Sequence, residues 1–276
     1  MSNVQPYTIG SQLLVPNTNP GQWDQDPRGY IWLWEKPIPQ ATYVMAIDPS
    51  VGRTGWCRAT RTEDDYRTDN GAIFIMRCGV NGNPDTQVAE YAGPVDAEEI
   101  GTIANALGRL YAGKEEMAIC IIEMYPGPGL LTYRRMMDLG YHNQFVWKYL
   151  DSNSAGGALR FGFWPGRESN KYLWIRASRH IHNKGLVVKS PWLVEEMRNC
   201  EVDPVKMWGR AVYGTHDDRV RAMMMALWAA HDWSMQVDVS VPVVVEGKVP
   251  SWQASDCSVE TMEEAWETRF LELQEA

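Results

Sequence analysis

The sequence has no CxxC pair, no GxxxxGK[ST] loop and no apolar run near the ~20 residues that a membrane-spanning helix needs. Its cysteines stand singly at 57, 78, 120, 200 and 257. That scatter argues against a thiolate zinc site or a disulfide framework and for free thiols in a reducing compartment. Without the glycine-lysine loop there is no P-loop to cradle nucleotide phosphates, so ATPase chemistry of that kind is excluded. The first residues, MSNVQPYTIG, lack the charged-then-apolar pattern of a secretion signal. No membrane partner is expected.

What is present fits a soluble globular protein: 276 residues, 45% hydrophobic and 22% charged, with thirteen tryptophans that call for large buried aromatic surfaces. The net charge of −9 is unevenly spread. Residues 234–276 carry nine acidic and two basic side chains, a net of −7, which leaves −2 on residues 1–233. Between 130 and 190, ten Lys/Arg face three Asp/Glu, a local excess of +7 interleaved with Phe161, Phe163, Trp164 and Tyr172. Such a block suits a phosphate-tracking surface, although a solvated basic face would look the same.

Three regions are expected: an arm over 1–40, a domain over 41–233 and an acidic tail over 234–276. The arm is rich in Pro, Gly, Asn and Gln and should pack through Trp32 and Trp34. Strands are expected at YVMAID (43–48), GWCRATR (55–61) and AIFIMRCGV (72–80), joined as an antiparallel meander. DAEEIGTIANALGRLYA (96–112) has helical spacing, and MAICIIE (117–123) is a continuous apolar run typical of a central strand. A helix over 126–140, a strand over 144–150 and a loop or hairpin over 152–169 follow. Next come a helix over 170–185, LVVK (186–189), the helix PWLVEEMRN and a last helix opening at HDDRV. His180 and His182 lie in the basic block and read as surface residues. In the tail, Trp266, Phe270 and Leu271 share one helical face. That segment can compete with DNA for the basic block, dock onto a partner or simply aid solubility.

The acids stand at particular places in this pattern. Asp48 ends the first strand and Glu123 ends the strand after helix 96–112. A right-handed crossover makes those strands parallel and brings both acids to one edge of the sheet. Asp217 and Asp218 open the last helix, whose apolar positions Val220, Met223, Met224, Leu227 and Trp228 mark a buried face. Carboxylates suit a helix N-terminus, and Thr215 with Asp218 can form a capping box, which accounts for one aspartate without any chemistry. On a wheel of 100° per residue Asp217 leans toward the apolar stripe and Asp218 away from it, which favours Asp217 as the inward acid. Gathered carboxylates repel one another unless divalent cations neutralise them, and hard oxygen ligands favour Mg²⁺ or Mn²⁺. Two such ions can activate water and stabilise the leaving oxygen in phosphodiester cleavage.

Five segments in order, WEKPIPQATYVMAIDPSVG, AICIIEMYPGPG, LRFGFWPGRESNKYLWI, LVVKSPWLVEEM and YGTHDDRVRAMMMAL, resemble the nuclease domain of the large terminase subunit of tailed bacteriophages. They cover about 34–230, and IDPSVG and GTHDDRV are the most specific. The resemblance implies an α/β, RNase H-like fold. Its mixed five-stranded sheet, an antiparallel three-strand meander and two parallel strands, is flanked by helices. It implies a metal-dependent endonuclease that cuts concatemeric double-stranded viral DNA during packaging. Asp48, Glu123 and Asp217 or Asp218 would be the catalytic metal ligands for Mg²⁺ or Mn²⁺. Lys171 matches a position near the DNA-facing loop, with Arg160, Arg167 and Arg176 as further DNA contacts. The implied partners are double-stranded DNA, a terminase ATPase motor, the portal and the small terminase subunit, in the host cell cytoplasm. Two departures stand out. GRTGWC replaces a motif that in many relatives holds another Asp, which weakens a second metal site. The missing P-loop implies either an excised domain or a nuclease encoded apart from its motor, and the starting Met leans toward the latter. Rival readings are another RNase H-like nuclease such as a Holliday-junction resolvase, and a non-catalytic DNA-binding packaging protein.

Overall fold

Every residue from Tyr43 to Ile47 is buried, and alternation sends Val44 and Ala46 to one apolar cluster, Met45 and Ile47 to the other. A strand apolar on both faces must be sandwiched between helical layers, and that demand sets the architecture. The computed structural model describes residues 7–9, 30–50, 70–124, 127–149, 158–202, 209–212 and 215–231.

In chain order the elements are β1 (Tyr7–Ile9), β2 (Ile31–Leu33), β3 (Tyr43–Asp48), β4 (Gly71–Arg77), β5 (Asp85–Gly93), α1 (Ala97–Leu110), β6 (Ile119–Ile122), α2 (Pro128–Asp138), β7 (Val146–Tyr149), β8 (Ala158–Phe161), α3 (Arg167–His182), β9 (Leu186–Val187), α4 (Pro191–Arg198), β10 (Cys200–Val202), β11 (Gly209–Ala211) and α5 (Asp218–His231). The main sheet runs β1-β2-β5-β4-β3-β6, with β9 on the first two residues of β5. β3, β4 and β5 are antiparallel neighbours, and β6 lies parallel to β3. Residues 143–145 run beside Cys120, with a parallel bridge from Gln144, and occupy the next place outward. The run β5-β4-β3-β6 and the segment beside it give the mixed sheet of an RNase H-like α/β fold, and β1, β2 and β9 make the sheet larger than the five strands expected.

α1 and α2 cover one face through Ile100, Ala104, Leu107, Tyr133 and Met136. α5 crosses the other face, packed on β3, β4 and β6 and flanked by α3 and α4. Val220 and Ala222–Ala230 are all buried. Among the described residues no helix is long and apolar enough to cross a membrane.

The expected strand 55–61 lies outside the described residues. Three differences from the sequence expectation have physical causes. The third meander strand is β5, hidden in the sequence because Asp85, Gln87 and Glu90 interrupt its apolar pattern while buried partners satisfy them. The expected strand at 144–150 instead pairs antiparallel with β8 as a separate ribbon, so only its first residues join the main sheet. β1 and β2, from within the first 40 residues, extend the sheet at the β5 edge, where Trp32 packs on Trp192 at 4.5 Å. The tail, 234–276, lies outside the described residues.

Candidate functional site

β3 and β6 are in parallel register with Ile47 opposite Ile122, and the Glu123 N–H donates to the Ile47 carbonyl at 2.9 Å. The residues that end the two strands, Asp48 and Glu123, therefore stand side by side at the carboxyl edge of the sheet. Their surroundings are tightly built. The Ser50 hydroxyl ties the turn after Asp48 to the Val95 carbonyl at 2.8 Å. A Cβ on Gly129 would lie 2.3 Å from the Glu123 carbonyl oxygen, so the glycine after Pro128 is what lets α2 start against that backbone. The Phe163 N–H donates to the Ile122 carbonyl, which closes the other side of Glu123.

Burial holds the Asp48 carboxyl well above the usual carboxylate range, and the charge of Glu123 and a hydrogen bond shared with it push the same way. Asp218 adds a smaller upward push, and Arg221 opposes it. Two carboxyls that share a hydrogen bond need a proton between them when no cation is bound. The structure thus pairs Asp48 with Glu123, and the Asp218 charge acts on Asp48. Of the two adjacent aspartates, Asp218 acts on Asp48, and Asp217 acts on Arg221 of the same cluster. Asp217 lies toward Cys200, whose thiol is pushed up to about 12, mainly by burial and then by the Asp217 charge.

The wheel argument does not choose between Asp217 and Asp218. The helix begins at Asp218, and nearly every later position is buried, so α5 has no single apolar stripe from which to measure an angle. The Thr215 hydroxyl donates to the Val212 carbonyl at 2.8 Å. The N-terminus of α5 is capped from another helix: the Arg219 N–H donates to Glu196 Oε2 at 2.9 Å. Arg219 also reaches Glu196 Oε1 at 2.6 Å and Glu90 Oε1 at 3.0 Å. Glu90 in turn accepts from Ser190 Oγ and Gln87 Nε2, each at 3.0 Å. This buried network fixes the start of α5, and with it Asp218, against β5 and α4.

Arg221 is the residue that sequence reasoning missed. It is the partly exposed position in the otherwise buried run 220–230. Its guanidinium is salt-bridged to Glu123, donates to Asn170 Oδ1 at 3.0 Å and lies 5.8 Å from the centre of the Phe163 ring. An arginine amid apolar positions was the available signal. His216 Nδ1 sits 3.4 Å from Asp218 Oδ2, at the edge of the same cluster.

The four basic candidates are spread out. Arg167 and Lys171 flank Asn170 on the first turns of α3, so the Asn170–Arg221 bond sets them beside the acids. Arg160 lies over the Trp164 ring at 5.3 Å. Arg176 is exposed, lies farther along α3 than Lys171 and reaches back to stack on Tyr172 at 5.0 Å. His180, expected at the surface, instead contacts the buried Asp85.

No protein-family profile and no curated protein matches the chain. Solved structures similar to it include the large terminase nuclease from thermophilic phage G20c, at 12% identity and a TM-score of 0.47, covering 75% of this chain and 90% of that one. The human cytomegalovirus terminase nuclease domain is also similar, at 12% identity and a TM-score of 0.45, covering 70% of this chain and 85% of that one. A manganese-soaked form of the same domain aligns at 9% identity over the same shares, again with a TM-score of 0.45.

Proposed function

We propose that the chain is a divalent-metal-dependent endonuclease that cuts double-stranded DNA during viral genome packaging. The observation that carries this reading is the hydrogen-bonded pair of Asp48 and Glu123 carboxyls at adjacent strand ends, with the Asp218 charge in reach. A group of acids this close is costly without a cation.

The donor set fits such an ion. Asp48, Glu123 and Asp218 less the bound Arg221 amount to two negative charges, the charge balance of one Mg²⁺ or Mn²⁺. Carboxylate oxygens alone, without sulfur or imidazole between them, favour a hard cation over zinc. Held there, the ion would polarise a phosphate and lower the pKa of a bound water. Asp48 and Glu123 would hold it from the sheet and Asp218 from the helix. Arg221 orients the Glu123 carboxylate by a charge-assisted bond and limits how much of it a second ion can share.

The remaining roles follow from position. Arg167 and Lys171, next to the acids, would hold the backbone phosphates on either side of the scissile bond. Arg160 and Arg176 would bind phosphates farther along the duplex. Contacts of this kind set register without reading bases, so cleavage should show little sequence preference. An ATPase motor, the portal and the small terminase subunit are the proposed partners, and the host cell cytoplasm the proposed location, on the strength of the sequence motifs.

The test is plasmid cleavage by the full chain with Mg²⁺, Mn²⁺ or EDTA. Nicking that needs one of the metals and stops with EDTA is expected. No cleavage under any metal would leave a DNA-binding packaging protein. Preference for a four-way junction over linear duplex would point to a resolvase.

A further inference from the structure

A second constellation lies at the opposite end of the sheet. Asp85 opens β5, and its neighbour Thr86 pairs with Arg77, which pairs with Tyr43 at the start of β3. Asp48 is at the other end of β3, roughly 17 Å away at about 3.3 Å per residue. The helices span the same distance: α5 runs from Asp218 to His231, and α3 from Arg167 beside the acids to His182.

At that far end, Asp85, His180 and His231 place one ligand atom each within 4.8 Å of one another. Asp85 is 2% exposed and firmly held, its Oδ1 accepting the Gly79 N–H at 2.7 Å. Its Oδ2 faces both imidazoles, with His180 Nε2 at 3.0 Å and His231 Nε2 in contact. The two rings are 4.4 Å apart and tilted by 38°. His180 Nε2 is buried and His231 Nε2 is hydrogen-bonded to the carboxylate, so one oxygen of Asp85 faces both rings. The three atoms are close enough to share one ion. Ligands at the usual 2.0–2.1 Å from a tetrahedral ion stand about 3.3 Å apart; His180 is near that spacing at 3.0 Å, and His231, at 2.5 Å, would move outward to admit an ion.

The ligands come from rigid elements. His180 rests flat on Gly185, where a Cβ would lie 2.5 Å from the ring nitrogen. The Gly185 carbonyl accepts the Asp85 N–H at 2.8 Å, so the turn after α3 locks His180 against Asp85. Solvent reaches the cluster through His231, whose side chain is 42% exposed. A cleft lined by Tyr172, Arg176, Arg179 and Trp228 opens beside it.

We propose that Asp85, His180 and His231 form a binding site for a borderline divalent ion of the Zn²⁺ type, distinct from the carboxylate site. Two imidazole nitrogens and one carboxylate oxygen match zinc, cobalt or nickel better than magnesium. Three protein ligands leave a position for water on the cleft side. The ion would clamp the ends of α3 and α5 to the first residue of β5. The two ends of the sheet would then select different metals, hard ions at the acids and a borderline ion at the histidines.

Titrating the full chain with ZnCl₂ in magnesium-free buffer, by calorimetry and thermal melting, tests this. One Zn²⁺ per chain and a rise in Tm are expected, as is visible d–d absorption with Co²⁺. His231→Gln, at a half-exposed position that the fold tolerates, should weaken Zn²⁺ binding more than the about 10–100-fold typical of an outer-shell partner. His180→Gln should do the same, and Asp48→Asn should leave Zn²⁺ affinity unchanged. No Zn²⁺ binding by the parent protein would overturn the proposal. So would unchanged affinity in His231→Gln, or loss of binding in Asp48→Asn with retention in His231→Gln. None of these outcomes depends on whether the protein cuts DNA.

Discussion

The Arg221 guanidinium lies on the Glu123 carboxylate, so one of the three gathered acids carries its own counter-charge before any metal arrives. The two are largely buried, at 17% and 8% side-chain exposure. Removing one partner of such a pair strands the other and typically costs about 3–5 kcal/mol. Arg221→Met should therefore lower metal-free stability by an amount of that order in urea denaturation. Added Mg²⁺ should restore part of it, because a bound cation would neutralise Glu123 in place of the arginine. Unchanged metal-free stability in Arg221→Met would mean that the pair contributes little.

Asp48 behaves in the opposite sense. Its carboxyl is held above the ordinary value in the folded chain, first by burial and then by Glu123. A carboxyl raised on folding contributes stability that is present below its unfolded pKa, about 3.9, and lost as pH rises through the folded value. Metal-free Asp48→Asn should thus melt close to the parent protein at acidic pH and increasingly above it toward neutrality. Each kcal/mol of relieved repulsion is worth roughly 2–4 °C. Plasmid nicking by the same variant should be abolished, and saturating Mn²⁺ should narrow the melting gap by stabilising only the parent. A gap independent of pH would assign the effect to something other than the Asp48 charge.

Arg219 offers a test of how the helix start is held. It is shared by Glu90 and Glu196, both buried, at 3.0 and 2.6 Å. Arg219→Met leaves two buried carboxylates and one arginine fewer, so a loss of about 3–5 kcal/mol is expected. Pairing it with Glu90→Gln should recover part of that loss, because one stranded charge is gone. Cleavage in the double variant should stay below the parent rate, since Asp218 depends on the placement of α5. Full activity there would show that the network is not what positions Asp218.

These contacts also mark how far the sequence was legible. The apolar run YVMAI and the unbroken run ICII located the two central strands, and parallel pairing of their ends brought Asp48 beside Glu123. What could not be read was anything set by long-range polar pairing. β5 looked too polar for a central strand because its partners, Arg219 and Ser190, are at least a hundred residues away. Helical periodicity could not choose between Asp217 and Asp218, because the cap on α5 comes from Glu196, which fixes the first turn independently of it. His180 looked like a surface residue because the carboxylate it meets lies 95 positions earlier in the chain. Local pattern finds strands and helices, whereas a buried ion pair between distant residues leaves no periodic trace.

The basic residues allow a final separation of binding from cleavage. Salt dependence counts phosphates contacted, at a slope near −0.9 per contact on duplex DNA. Arg160, Arg167, Lys171 and Arg176, each replaced by alanine, should lower the slope by about one if each holds a phosphate. Their positions predict different effects on the chemical step. Lys171 and Arg167 border Asn170, which is bonded to Arg221 and so to Glu123. Arg176 is at least a full helical turn beyond Lys171 and is held by the Tyr172 ring. At saturating DNA and low salt, Lys171→Ala and Arg167→Ala should still cleave slowly, because a phosphate beside the acids is misplaced. Arg176→Ala should regain the parent rate, because its contact adds affinity without positioning the reacting group. Equal rates for all three variants at saturation would mean that α3 steers DNA to the site and takes no part in aligning it.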